Sequence, residues 1–173
     1  MKVLFGMEKL NEGEIAINGS KTAIGSPKEA VAKGIGMVHQ EFMLIGEYTV
    51  LENVVLGNEP TKNGLLNLSA ARKKLEKIMT DFKFDIPLDE KVKNISIAAQ
   101  QKIEIIKLLY RDVETLILDE PTAVLAPQEV DELFGLLDRI KSEGCTILFN
   151  NHKLDEVLRI SYRITVMRAG SLI

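Results

Sequence analysis

The sequence predicts an α/β fold, a mostly parallel sheet flanked by helices, with a helical segment inserted into it. Three observations carry this. Thr115 to Leu118 and Thr146 to Phe149 are apolar runs without alternation, as expected of strands buried on both faces. Amphipathic helical patterns separate such runs, and strand–helix–strand alternation implies parallel strands joined by right-handed crossovers. Between Glu41 and about Val92 the character is helical instead.

Taken in order, Glu14 to Ile17 and Ser20 to Ile24 flank Asn18-Gly19. That pair suits the two positive φ angles of a type I′ turn, so a β-hairpin is predicted. Ser26 caps a helix, Pro27 fits its first position, Glu29 completes a capping box and Gly34 ends it. Gly36 to Gln40 reads as a short strand with a polar end. Inside the insertion, Val50, Leu51, Val54, Val55 and Leu56 mark a helix ended by Gly57. Ser69 is the predicted cap of a second helix, with Leu75, Ile78, Met79 and Phe82 on one face. Pro60 to Gly64 forms a polar tip. Ser96 opens a long helix through Ile103, Ile106, Leu109 and Tyr110. Pro127 starts another, with Val130, Leu133, Phe134, Leu137 and Ile140 in one stripe. Leu154, Val157 and Leu158 line a short helix, and Ile164 to Met167 is a last strand.

Composition narrows the function classes. Lys and Arg number 22 against 25 Asp and Glu, a net charge of −3. A mildly acidic chain carries no broad basic footprint for nucleic acid. Cys145 is the single cysteine, so no disulfide forms within the chain, which fits a reducing compartment. Its apolar flank makes it an inert core thiol. No stretch is long and apolar enough to span a bilayer. Met1 to Gly6 is too short for a signal peptide, and Glu8 and Lys9 follow at once. A membrane role therefore has to come through a partner.

The chemistry starts where the strand Leu116 to Leu118 ends in two carboxylates, Asp119 and Glu120. Ligands of parallel α/β sheets bind beyond the carboxyl ends of strands. Asp119 there suits a Mg²⁺ ion, and Glu120 beside it suits a base for an attacking water. The bland alternative is a helix cap or a solvated turn. The run Thr146 to Phe149 leads to Asn150, Asn151 and His152, which puts a histidine on the same edge, where it can donate to a terminal phosphate. A loop histidine is the commoner fate. Gln40 ends a third strand, and alone reads as a turn glutamine. Ser96 starts a helix, as a plain cap or as part of an anion site.

In this order the four pieces make a family visible. His39-Gln40 resembles the Q-loop of ABC ATPases, and Ile95-Ser96-Ile97-Ala98-Ala99-Gln100-Gln101 resembles their signature motif. Leu116 to Glu120, followed by Pro121-Thr122, looks like a Walker B strand with its catalytic glutamate. Ala123 to Ala126 stands where the D-loop belongs, and His152 resembles the switch histidine. The resemblance runs the whole chain. Met1-Lys2-Val3-Leu4-Phe5-Gly6, Leu56-Gly57-Asn58-Glu59-Pro60 and Glu120 to Leu125 look like the tandem ATPases of sugar and nucleoside importers, in which one polypeptide carries two ATPase halves.

That resemblance implies a P-loop NTPase-like sheet divided into a partial core at 1–40, a helical subdomain at 41–95 and the rest of the core at 96–173. It implies Glu120 and His152 as catalytic residues. Asp119 and Gln40 would be the Mg²⁺ ligands, and Gln40, Ser96, Ala98 and Gln100 the ATP-binding positions. Ser96 would serve nucleotide bound to the opposite ATPase half. Transmembrane permease subunits, a second ATPase half and, indirectly, a solute-binding protein are the implied partners, at the cytoplasmic face of the cell membrane.

The sequence departs from the family in places. It holds no G-x-x-x-x-G-K-[ST] phosphate-binding loop. Both ends are read as truncated, the loop falling just before Met1, and a natural pseudo-ATPase is the alternative. Such a chain is expected not to bind ATP tightly, and to fold poorly, with a gap beside Leu116 to Leu118. Ala98 stands for a usual glycine, Ala126 for an aspartate, and Asn151 for a serine or threonine before the histidine. The rival readings are a soluble ABC ATPase not linked to transport, and a non-catalytic remnant.

Overall fold

A computed structural model describes residues 1–40, 42–62, 64–168 and 171–173. Glu41, where the predicted insertion begins, and Asn63, in its predicted tip, lie outside the described residues. The heart of the fold is a parallel sheet of three strands, β3 (Ile35–Val38), β6 (Thr115–Asp119) and β7 (Thr146–Asn150), in the order β3-β6-β7. Before it come the hairpin β1 (Ile15–Ile17) and β2 (Ser20–Thr22), then α1 (Pro27–Ala32). Asn18 and Gly19 turn the hairpin with φ of 50° and 77°, as their side chains permit.

Alternation along the strands sorts the core into two faces. Leu116, Leu118 and Val38 meet Ile105 and Leu108 of α4 (Ile97–Tyr110) and the apolar stripe of α5 (Pro127–Ser142). Ile35, Met37 and Ile117 point the other way, onto Phe5, Ile24 and Ala30. Gly36 lies where α4 presses closest: a Cβ there would sit 2.9 Å from Leu108 Cδ2 and 3.1 Å from Val113 Cγ1. Gly36→Ala is therefore expected to destabilise the fold by about 1–3 kcal/mol through overpacking, read as a lower midpoint of thermal unfolding. An unchanged midpoint would mean that α4 does not rest on β3 as closely as this.

A second apolar cluster belongs to the inserted segment. It joins α2 (Val50–Val55), α3 (Leu68–Phe82), Ile86, Leu88 and Val92, and it is closed by Ile103, Ile106 and Tyr110 of α4. One helix thus serves two cores, because its apolar residues cover more than one face. Between α2 and α3 the predicted polar tip is a small hairpin, β4 (Thr61–Lys62) and β5 (Leu65–Leu66).

Several expectations need correction. Asn67, not Ser69, caps α3. Its N–H closes the small hairpin onto Pro60 O at 2.7 Å while its side chain accepts from Ala70 N at 3.2 Å, which leaves Ser69 inside the first turn. Glu29 reaches back to Gly25 N at 2.9 Å, so Ser26 caps α1 without a reciprocal box. The strand predicted at Ile164 to Met167 is instead β8 (Met167–Arg168), which among the described residues pairs with β9 (Ser171–Leu172) alone. A lone extended segment must find a ladder, and the nearest one is local. Finally, no gap lies beside Leu116 to Leu118, which are fully buried between two ladder partners. Among the described residues β3 and β7 are the two edge strands of this sheet; β3 is buried, whereas β7 is half-exposed and not buried on both faces as the sequence suggested. Cys145 just before it is half-buried, and burial pushes its thiol pKa up. No helix among the described residues is long and apolar enough to cross a membrane.

Candidate functional site

The ladder brings three strand ends into step. Val38 pairs with Leu118 and Leu118 with Phe149, while Asp119 pairs with Asn150. Gln40, Glu120 and His152 follow on the same carboxyl edge, the usual ligand edge of a parallel sheet. Gln40 is exposed there.

The backbone at Glu120 is unusual. Its φ of +48° lies in the left-handed region, which a non-glycine residue occupies at a cost of about 1–3 kcal/mol. Hydrogen bonds on both sides hold it there. Glu120 N–H donates to Asn150 O at 2.9 Å, and Glu120 O accepts from Ala123 N at 3.2 Å. The turn aims the Glu120 carboxylate across to β7, where its Oε1 lies 3.2 Å from His152 Nδ1. The imidazole is largely exposed and the carboxylate much less so. Asp119 Oδ1 accepts from Asn150 Nδ2 at 2.6 Å, which leaves Oδ2 for another partner.

Loop residues beside this edge are anchored by buried polar groups. Glu104, 7% exposed, accepts from Met43 N at 2.8 Å. Asn53, 1% exposed, accepts from Ile45 N at 2.7 Å and donates to Ile45 O and Thr49 O, each at 3.0 Å. The segment after Gln40 is thereby clamped between α4 and α2.

The signature-like residues stand apart. Ser96 is the N-cap of α4, accepting from Ala99 N at 3.3 Å, and Ala98 is half-buried in the first turn. Gln100 donates through Nε2 to Ile95 O at 2.9 Å and Val92 O at 3.3 Å, which fastens the preceding turn. Among the described residues no hydrogen bond or ion pair joins Ser96, Ala98 or Gln100 to Asp119, Glu120 or His152.

Sequence reasoning missed Asn150, Glu104 and Asn53 as organisers. Glu104 had a visible signal, a carboxylate between Ile103, Ile105 and Ile106. Asn53 had none, since one asparagine in a helix reads as an exposed residue.

The ABC transporter family model matches residues 1–123. This chain belongs to the ABC transporter family. It is 43% identical over 173 residues to the nucleoside import ATP-binding protein NupA of Lactococcus lactis, covering 100% of this chain and 34% of that protein. It is 44% identical over 170 residues to the guanosine import ATP-binding protein NupO of Bacillus subtilis, covering 98% and 33%. Among solved structures, an ATP-binding cassette of an ABC transporter in its ADP conformation superposes with a TM-score of 0.85. It is 26% identical, and the match covers 99% of this chain and 72% of that one. The chain spans about a third of the length of the curated relatives it matches.

A nucleotide and Mg²⁺ are implied by this family, and the donor set can be tested against them. Asp119 and Gln40 offer hard oxygen atoms, as Mg²⁺ prefers. Among the described residues there is no group of three acidic, His or Cys side chains able to cage a metal. The residues fit an ion that takes one or two protein ligands and completes its shell from phosphates and water.

Proposed function

We propose that the intact protein hydrolyses ATP to power import of a sugar or nucleoside, and that this chain is most of one ATPase half. The observation that supports the reading is the strand-edge constellation, with Asp119 beside a left-handed Glu120 whose carboxylate lies 3.2 Å from His152. Glu120 orients a water against the terminal phosphate and takes its proton. His152 Nδ1 lies beside Glu120, and the other edge of the ring is left to face the phosphate. Asp119 and Gln40 would hold Mg²⁺, which when bound would supply charge neutralisation to the phosphates. Ser96, Ala98 and Gln100, at the start of α4, meet nucleotide bound to the opposite half.

The segment 41–95, with α4, is the docking surface for transmembrane permease subunits, at the cytoplasmic face of the membrane. The clamp of the loop after Gln40 onto α2 and α4 supports this, since movement of that surface reaches Gln40. A solute-binding protein acts only through the permease.

These 173 residues contain no phosphate-binding loop, and that loop makes most triphosphate contacts. Calorimetric titration of the chain with Mg-ATP is expected to show no micromolar binding, whereas the full-length subunit binds and turns over ATP. Micromolar binding by the chain alone would overturn the first expectation. Absence of turnover in the full-length subunit would leave the non-catalytic reading.

A further inference from the structure

The residue before the histidine is the unexplained departure in this site, and its surroundings give it a role. Asn151 uses both ends of its amide. Its Oδ1 accepts from His152 N at 2.8 Å and Lys153 N at 3.2 Å, at the start of α6 (Leu154–Ile160). Lys153, the N-cap of that helix, provides no side-chain cap of its own. Its Nδ2 donates to Thr122 Oγ1 at 2.9 Å and Glu156 Oε2 at 2.6 Å. Thr122 is fully buried two residues beyond Glu120, and its hydroxyl donates to Glu156 Oε2 at 2.5 Å. Lys153 closes the group, with Nζ 3.1 Å from Glu156 Oε1 and 3.3 Å from Thr122 O.

We propose that Asn151 is a positioning residue that locks the His152 backbone to the turn carrying Glu120, through Thr122 and Glu156. The hydrogen-bond count supports it. Thr122 has one proton, given to Glu156, and a lone pair filled by Asn151. Glu156 accepts from both. A serine or threonine at 151 has one donor and cannot reach Thr122 and Glu156 while also accepting from two backbone N–H groups. The asparagine does all four. Burial disfavours the Glu156 carboxylate, but the bonds from Thr122, Lys153 and Asn151 outweigh it and hold its pKa below the usual range. The Glu156 carboxylate, paired with the Lys153 ammonium, therefore anchors both loops. The consequence is for chemistry more than for nucleotide affinity, because the network touches the placement of His152 against Glu120 and no ATP-binding position.

The proposal rests on the reading of Glu120 and His152 given above, and the test separates the two. In the full-length subunit, Asn151→Ala is expected to lower kcat on the order of tenfold to a hundredfold, with KM for ATP nearly unchanged, as for a small misplacement of reacting groups. Asn151→Asp keeps the acceptor for His152 N and Lys153 N but loses both donors and faces Glu156, so it should lose as much. Thr122→Val, which keeps shape and removes the hydroxyl, should match Asn151→Ala, and the double variant should fall no further than either. Thr122→Ser, which keeps the hydroxyl, should restore turnover. Wild-type kcat in Asn151→Ala or Asn151→Asp, with Glu120→Gln inactive, would overturn the positioning role alone. An active Glu120→Gln would overturn the underlying reading. If Asn151→Ala fails to fold, the Thr122→Val and Thr122→Ser pair decides: equal turnover in the two removes the proposal.

Discussion

Glu120→Gln in the intact subunit is expected to lower ATP turnover by a factor on the order of 10²–10⁴, the usual worth of a general base, while nucleotide stays bound. Glutamine keeps the size and shape of the side chain and can hold the left-handed turn as glutamate does, since Glu120 is fixed there by backbone bonds to Asn150 and Ala123. What it cannot do is take a proton. The step that opens the ATP-bound pair of halves is then blocked, so the closed, nucleotide-trapped pair should accumulate. Asp119→Asn should fail differently. Its contact with Asn150 survives through the amide oxygen, but the charge facing the metal is lost, so Mg-ATP binding weakens and closure becomes unstable. His152→Ala should resemble the glutamate change, because it leaves Asp119, the proposed metal ligand, intact. Nucleotide retained by each variant after rapid desalting, beside steady-state turnover, distinguishes them. Wild-type turnover in Glu120→Gln, or equal nucleotide trapping by Asp119→Asn, would remove the assignment of base and metal ligand.

Much of this edge was legible because it is written in local sequence. An apolar run ending in Asp119-Glu120 and another ending in Asn150-Asn151-His152 need only a parallel ladder to meet, and the ladder follows from the lack of alternation in both runs. The long helices were legible for the same reason, each carrying its own apolar stripe, whereas α6 buries none of its residues and leaves Leu154 and Leu158 exposed. The rest depends on contacts far apart in sequence. Strand order decided which strand is central, and nothing in Thr146 to Phe149 distinguishes an edge from a middle strand. Ser69 and Asn67 are both competent caps, and the hairpin contact to Pro60 chose between them. Asn151 was visible as an oddity, yet its role needed Thr122 and Glu156, which reach it only once α6 folds back. The strain at Glu120 is a backbone property that no side-chain pattern encodes, and it falls at the candidate base, where strain is often concentrated.

The largest stability effect is expected at Phe134, whose ring joins α5 to the strand that carries the histidine. Phe134 is 2% exposed. Its ring meets Phe149 of β7 edge-on, with centroids 5.8 Å apart and planes at 81°. The Arg159 guanidinium of α6 lies 5.1 Å above its centroid, and Arg159 also pairs with Asp131 on α5. One side chain therefore fills the space between α5 and β7 and gives α6 a place to rest. Phe134→Ala removes the ring, leaves a cavity and deprives Arg159 of its aromatic partner. Core truncations of this kind destabilise by about 3–5 kcal/mol. For a domain of this size that lowers the thermal midpoint on the order of 10 °C. Phe134→Leu, which keeps most of the apolar volume, should recover much of the loss. The measurement is thermal unfolding of the full-length subunit, followed for both variants against the parent. Because Phe149 directly precedes Asn150 and its neighbours, Phe134→Ala should also loosen the approach of His152 to Glu120, so turnover measured well below the new midpoint should fall with it. A loss under about 1 kcal/mol, small against core truncations, would mean that β7 is not held by α5 through this ring and that the histidine edge takes its rigidity from elsewhere.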